Sequence, residues 1–306
     1  MTAAIVTTSP PSPRSYAPVV KFVGGKRRLF PAILARLPVG PITGRYFEPF
    51  VGGGAVFFEL ASMGYLSYGS PRPDGRPVRR AVLADVNIDL VNLYIVLQRD
   101  PIPLVVELQD PDRGYVYDKD AYYRIRALDP DKLTSVQRAA RMIYLNKCGF
   151  NGLYRVNKSG GFNVPFGRYV NPTICDENGL LLASDALQRA TDVRLTDFEI
   201  LMEDAREGDV CYCDSPYAPA SVTSNFTSYT QDGFSFGDQE RLRDAAKSAS
   251  RRGAFVLLSN SDVPMIRKLY SGDDFQLDEI MAARAINSDP SKRGSVKELL
   301  IRCVAR

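Results

Sequence analysis

Tyr46-Phe47-Glu48-Pro49-Phe50-Val51-Gly52-Gly53-Gly54-Ala55 decides the fold of this 306-residue chain. An apolar run ends in an acid, three contiguous glycines follow, and helical spacing of apolar residues then continues to Leu60. The segment reads strand, glycine loop, helix. Glycine permits a sharp turn and lets a ligand approach bare backbone at a helix start. Working outward, Ala81-Val82-Leu83-Ala84-Asp85 is a second strand ending in an acid, and 88–98 has the spacing of a helix. Further strands are predicted at 192–195, 209–214, 254–259, 275–281 and 296–303, with a helix at 238–252. Alternating strands and helices make an α/β fold: an open, mostly parallel sheet with helices on both faces. Between about 101 and 183 the text changes to Tyr- and Arg-rich helical stretches and a Gly/Asn-rich loop, which reads as an insertion on that sheet.

Composition narrows the chemistry. Hydrophobic residues make up 45%, as in an ordinary globular protein, and the net charge of +4 permits nucleic-acid binding without demanding it. With no histidine in the chain, His general-base catalysis and His-based metal sites are excluded. The five cysteines (148, 175, 211, 213 and 303) lack paired metal-ligand spacing and read as reduced thiols of a cytoplasmic protein. Cys211 and Cys213 are expected on opposite faces of their strand. No apolar run approaches membrane-spanning length. Residues 1–18, rich in Ser, Thr and Pro, are expected to be a disordered leader. Residues 67–80 read as a surface loop. A monomer or weak dimer without a metal is expected.

Ligands of an open sheet bind outside the carboxyl ends of its strands. Asp85 stands where an acid binds a ribose hydroxyl pair. The glycines are contiguous, unlike a dinucleotide fingerprint, and no Gly-Lys-Ser/Thr follows them. With Glu48 behind it, the loop suits a cationic, nucleoside-like ligand, and S-adenosylmethionine fits. The bland alternative is a tight structural turn. Upstream, Lys21-Phe22-Val23-Gly24-Gly25-Lys26-Arg27-Arg28 reads either as a basic helix start or as a cofactor wall (Phe22, Gly24, Gly25) flanked by a DNA-facing Lys21.

Asp214-Ser215-Pro216-Tyr217 follows the apolar run Val210-Cys211-Tyr212-Cys213. An Asp, a short rigid turn and an aromatic at a strand's end form a pocket for a flat, amine-bearing ring. The Asp accepts one N–H, the next carbonyl accepts another, and the Tyr stacks. Such a pocket suits methylation of an exocyclic amine of a nucleobase. A strand ending in a Pro turn is the structural alternative.

The order of these elements resembles the Dam-type DNA adenine-N6 methyltransferases of the alpha arrangement. The likeness runs from about Tyr16 to the C-terminus. It is strongest in Leu145-Asn146-Lys147-Cys148-Gly149-Phe150-Asn151-Gly152-Leu153-Tyr154-Arg155 and Gly161-Phe162-Asn163-Val164-Pro165-Phe166-Gly167-Arg168-Tyr169. Stretches at 218–219, 225–229, 258–260 and 284–300 are also similar. The resemblance implies a Rossmann-like S-adenosylmethionine-dependent sheet, discontinuous over 19–100 and 190–306, with a helical target-recognition domain at 101–189. It implies methyl transfer to adenine N6 in double-stranded DNA at GATC, as in restriction-modification systems or host methylation. By the same resemblance, Asp214, Ser215, Pro216 and Tyr217 are catalytic. Phe22, Gly24, Gly25, Lys26, Glu48, Pro49, Phe50, Gly52, Gly53, Gly54, Asp85, Asn87, Asp197, Phe198 and Asp214 hold the cofactor. Lys21, Asn151, Leu153, Arg155, Asn157 and Tyr169 hold DNA, and Lys147, Lys158 and Arg168 are expected on phosphates.

The chain departs from the family at Ser215, where Pro is commonest, at Phe22, where Trp is frequent, and in the long 67–80 loop. The Ser hydroxyl is expected to compete for the carbonyl or for Asp214. Three rival readings are a GATC-binding protein with weak or lost catalysis through Ser215, a methyltransferase for RNA or a protein glutamine, and a nicotinamide-dependent oxidoreductase. The last lacks its fingerprint.

Overall fold

Side chains alternate along a strand, so a sheet covered on both sides needs apolar residues at odd and even positions alike. The first strands meet this condition. In the computed structural model, which describes residues 15–22, 26–66, 80–157, 161–219, 233–283 and 295–305, they form one seven-stranded sheet. Its strands are β1 Tyr46–Glu48, β2 Ala81–Asp85, β3 Thr191–Leu195, β4 Val210–Cys213, β5 Phe255–Ser261, β6 Phe275–Ala283 and β7 Ser295–Cys303, in the order β3-β2-β1-β4-β5-β7-β6. Neighbours from β3 through β5 are parallel, and β7 runs antiparallel to both β5 and β6. The helices are α1 Phe30–Leu34, α2 Ala55–Ser62, α3 Ile88–Arg99, α4 Ile102–Gln109, α5 Lys119–Arg126, α6 Ser135–Cys148, α7 Glu177–Ala190, α8 Phe198–Met202, α9 Phe236–Arg251 and α10 Pro264–Leu269.

Tyr46, Ala81, Leu83, Val210, Tyr212 and Leu257 face one layer, built with α2, α3, α4, α6 and α7. Phe47, Val82, Ala84, Cys211, Cys213, Val256 and Leu258 face the other, built with α8, α9 and α10. Phe47, Phe57 and Phe58 are fully buried, and each contributes about 1.5–3 kcal/mol by leaving water. Cys211 and Cys213 share a face, which corrects the expectation above: residues two apart on a strand point the same way. All five cysteines are free thiols.

The leader also needs correction at its end. Tyr16 is buried, its N–H donates to Ser62 Oγ (2.8 Å), and its hydroxyl donates to Asp185 Oδ2 (2.6 Å). An aromatic that joins the core and satisfies both polar groups fixes the chain there. Residues 1–14 and 67–79 lie outside the described part.

Within 101–189, α4, α6 and α7 share the core of the first layer, while Tyr122, Ile125, Tyr144, Leu145 and Cys148 form a small cluster of their own. Helix α6 starts at a reciprocal cap between Thr134 and Gln137. It ends at Gly149, where the Gly/Asn-rich loop begins. Among the described residues, no helix is long and apolar enough to cross a membrane.

Candidate active site

The parallel strands β1, β2 and β4 end on one edge of the sheet. This edge gathers Glu48, the glycine loop, Asp85 and the tetrad 214–217. Gly52 and Gly54 have positive φ, 48° and 71°, a region that L side chains rarely adopt. A Cβ on Gly54 would also stand 3.1 Å from Phe58 and 3.2 Å from the Tyr94 hydroxyl. Tyr94 donates to the Gly52 carbonyl (2.8 Å). Asp85 Oδ2 accepts the Gly52 N–H (3.1 Å), and its Oδ1 accepts the Asn87 N–H (2.9 Å). Asn87 in turn caps α3. Burial raises the Asp85 carboxyl above its ordinary range despite these donors. Phe22 lies over the loop: a Cβ on Gly52 would come within 3.5 Å of its ring.

Glu48 is 2% exposed and accepts a hydrogen bond from the Tyr46 hydroxyl (2.8 Å). Burial pushes its carboxyl up to about 8, with the nearby Asp214 charge adding to the rise. Glu48 therefore keeps its proton in the folded protein at neutral pH, while the unfolded chain loses it near 4.5. The unfolded state binds fewer protons between those values, so this contribution to stability is fully present below about 4.5 and is lost as pH rises through about 8. Thermal melts of wild type and Glu48→Gln across this range check the sign. The wild type is expected to lose stability relative to the variant by up to about 1.4 kcal/mol per pH unit. A constant difference would contradict the assignment.

At the end of β4, Asp214 Oδ1 accepts from Ser259 Oγ (2.8 Å) and pairs with Lys26 Nζ (2.9 Å). Ser259 spends its single proton on Asp214, so Tyr212, whose hydroxyl lies 3.1 Å away, is the donor to Ser259. Both partners of Asp214 end on Oδ1, and among the described residues none ends on Oδ2. The Lys26 ammonium also stands 4.5 Å from the centre of the Tyr217 ring. Tyr217 donates its hydroxyl to Glu298 Oε2 on β7 (2.8 Å), which anchors the tip of the ring. The turn is held by buried amides. Gln239 donates to the Pro216 carbonyl (2.8 Å), Asn260 accepts the Ala218 N–H (3.1 Å), and Asn260 donates to Gln239 (3.0 Å). No hydrogen bond among the described residues ends on the Ser215 carbonyl.

The Ser215 hydroxyl is buried and, among the described residues, has no hydrogen-bond partner. The expected competition with Asp214 is absent, because Ser259 and Lys26 fill that role. An unpaired buried hydroxyl costs about 1–3 kcal/mol. Ser215→Ala is therefore expected to raise stability by about 1 kcal/mol in denaturant unfolding, and a loss of stability would contradict this reading.

Among the other expected cofactor residues, Lys26 lies on the tetrad. Asp197 caps α8 through the Glu199 N–H (3.0 Å) and pairs with Arg241 (2.8 Å). Phe198 is buried, stacked on Phe50 (5.3 Å), with the Arg241 guanidinium 4.8 Å from its ring. Pro49 lies in the turn between β1 and the glycines. Gly24 and Gly25 fall outside the described residues. Glu298, Gln239 and Tyr212 were not anticipated. Asn260 and Ser259 carried a signal, since they end the strand next to β4.

The expected DNA residues lie in the loop after α6 and beside it. Asn151 takes a left-handed conformation (φ 56°), which Asn tolerates better than most residues. Asn151, Arg155 and Asn157 are exposed and Leu153 is half-buried. Arg155 donates to Asn163 Oδ1 (2.7 Å), and Asn157 exchanges backbone and side-chain bonds with Gly161. Tyr169 donates to the Gly149 carbonyl (3.0 Å), with the Lys21 ammonium 5.7 Å from its ring centre. Burial lowers the ammonium pKa of Lys147. Arg168 is exposed, and Lys158 is outside the described residues. Among the described residues, no cluster of His, Cys, Asp or Glu could hold a metal.

Known proteins are similar to this chain over most of its length. Residues 22–286 match the family model of the D12 class N6 adenine-specific DNA methyltransferases. A type II methyltransferase of Lactococcus lactis subsp. cremoris, M1.LlaDCHI, is 40% identical over 289 residues, 93% of this chain and 94% of the relative. A DNA adenine methylase of Vibrio cholerae is 38% identical over 285 residues, 92% and 94% of the two chains. That of Escherichia coli (strain K12) is 33% identical over 284 residues, 92% and 93%. With a family match over most of its length and relatives this similar from end to end, the chain belongs to the D12 class of N6 adenine-specific DNA methyltransferases.

Proposed function

We propose that this adenine-N6 methyltransferase takes its methyl group from S-adenosylmethionine and acts on adenine in GATC within duplex DNA. The Asp214 geometry carries the reading: a carboxylate at a strand end with one oxygen turned away from its protein partners, followed by an available carbonyl and an anchored tyrosine. When bound, S-adenosylmethionine supplies a methyl group already activated on a sulfonium. The residues present fit such a ligand. Gly52 and Gly54 leave bare backbone, Phe22 and Asp85 flank it, and Glu48 is a buried acid without a cation partner among the described residues. A cationic ligand would favour its ionised form.

The target adenine must leave the base stack, at a cost of a few kcal/mol, and Tyr217 replaces the lost stacking. The amine lone pair is delocalised into the ring. Asp214 Oδ2 and the Ser215 carbonyl each accept an N–H, which favours a pyramidal nitrogen with its lone pair available. Positioning and electrostatics then carry the rate. The block 101–189 acts as the target-recognition domain. Leu153, Asn151 and Arg155 read bases, Arg155 gripping a guanine edge through two parallel hydrogen bonds, and Lys21 and Tyr169 support the strand. The resemblance to the Dam-type enzymes supports GATC over other adenine sites. Label transfer to a GATC duplex and to its scrambled isomer tests the site. Label on GATC alone is expected, and equal label on both would overturn the specificity.

A further inference from the structure

Tyr154 sits between two residues assigned to base reading, yet its side chain points inward. Its hydroxyl donates to Asp89 Oδ2 (2.8 Å), and Arg138 of α6 holds the other oxygen of the same carboxylate. Asp89 is 7% exposed and lies in the first turn of α3. Its N–H donates to Asn87 Oδ1 (3.0 Å), the Asn87 N–H donates to Asp85, and Asp85 holds the Gly52 N–H. A polar route thus runs from the recognition loop to the glycine loop.

A second route is apolar. The Tyr154 ring stacks on Phe22 with centroids 6.0 Å apart and planes 12° apart, and Phe162 meets its edge at 5.6 Å. Phe22 in turn covers Gly52. The buried Asn146 fixes both ends of this contact. It accepts the Lys21 N–H (2.8 Å) and donates to the carbonyls of Lys21 (2.8 Å) and Gly152 (2.9 Å). The wall over the glycines and the start of the loop are therefore pinned to the same turn of α6.

We infer that Tyr154 is a positioning residue that links occupancy of the glycine-loop pocket to the geometry of Leu153 and Arg155. A ligand that presses on Phe22 or Gly52 meets Tyr154 through both routes, so cofactor binding and site-specific DNA binding strengthen each other through this side chain. The inference rests on the reading of 46–54 as the cofactor loop and 151–157 as the base-reading loop.

The test is reciprocal. The affinity for a GATC duplex is measured with and without S-adenosylhomocysteine, and the affinity for S-adenosylhomocysteine with and without the duplex, in wild type, Tyr154→Phe and Arg155→Ala. Linkage requires one coupling factor from both directions, about 5- to 150-fold for typical coupled sites. Tyr154→Phe keeps the ring and removes the bond to Asp89, and its coupling factor is expected to fall at least severalfold. Thermal melts establish that each variant is folded. Unchanged coupling in Tyr154→Phe, or none in wild type, overturns the inference when Arg155→Ala has lost its preference for GATC over the scrambled duplex. If Arg155→Ala retains that preference, the loop reading itself fails and the inference falls with it.

Discussion

Asp214→Ala is expected to lower single-turnover methyl transfer by about 10²–10³-fold or more, the usual consequence of removing one oriented polar group at a reacting centre. Affinity for the duplex should change far less, because the recognition loop lies on other elements. Alanine also removes the carboxylate beside the Lys26 ammonium, which is 6% exposed, and breaking a buried ion pair by deleting one partner destabilises by up to roughly 3–5 kcal/mol. Asp214→Asn separates these effects. It keeps the shape and one acceptor, loses the charge, and should remain folded while methylating slowly. Rapid-quench assays with labelled cofactor, read beside thermal melts, check both variants. A folded Asp214→Ala enzyme with wild-type turnover would remove the carboxylate from the chemistry.

Arg155→Ala should cost about 1–3 kcal/mol of discrimination, or roughly 5- to 150-fold, at the guanine it reads. Its guanidinium is exposed but already oriented by Asn163, so little ordering is needed on binding. The loss should appear in kcat/KM for GATC and vanish on duplexes with that guanine replaced. Replacing Lys21 should instead weaken all duplexes alike and flatten the salt dependence, as expected for a phosphate contact. An equal loss for Arg155→Ala on every duplex would make this residue a backbone contact.

The sheet was legible because its signals are local. Continuous apolar runs in 46–48, 81–85 and 210–213 mark strands buried on both faces, and Gly52 to Gly54 mark the turn before α2. Asp85 was legible for the same reason, as the acid that ends a strand. The partners of the tetrad were not. Lys26 reads locally as one cation in a basic run, and only the approach of its 3₁₀ turn to the end of β4 places it on Asp214. Glu298 reaches Tyr217 because β7 inserts antiparallel between β5 and β6, a strand order that no local pattern encodes. Asp197 shows both sides. An acid before an aromatic after a strand is legible as a ligand group, but its capping of α8 and its pairing with Arg241 are not. Tyr154 was hidden among the readable residues of its own loop, since inward and outward side chains of an irregular segment follow no period.

The most direct test of the account is a crystal structure of the enzyme with S-adenosylhomocysteine and a GATC duplex. The expected complex has an adenine out of the stack beside Tyr217, its amine within hydrogen-bond distance of Asp214 and of the Ser215 carbonyl, and the cofactor against Gly52 to Gly54. An adenine bound away from Asp214, or a cofactor seated elsewhere on the sheet, would contradict it.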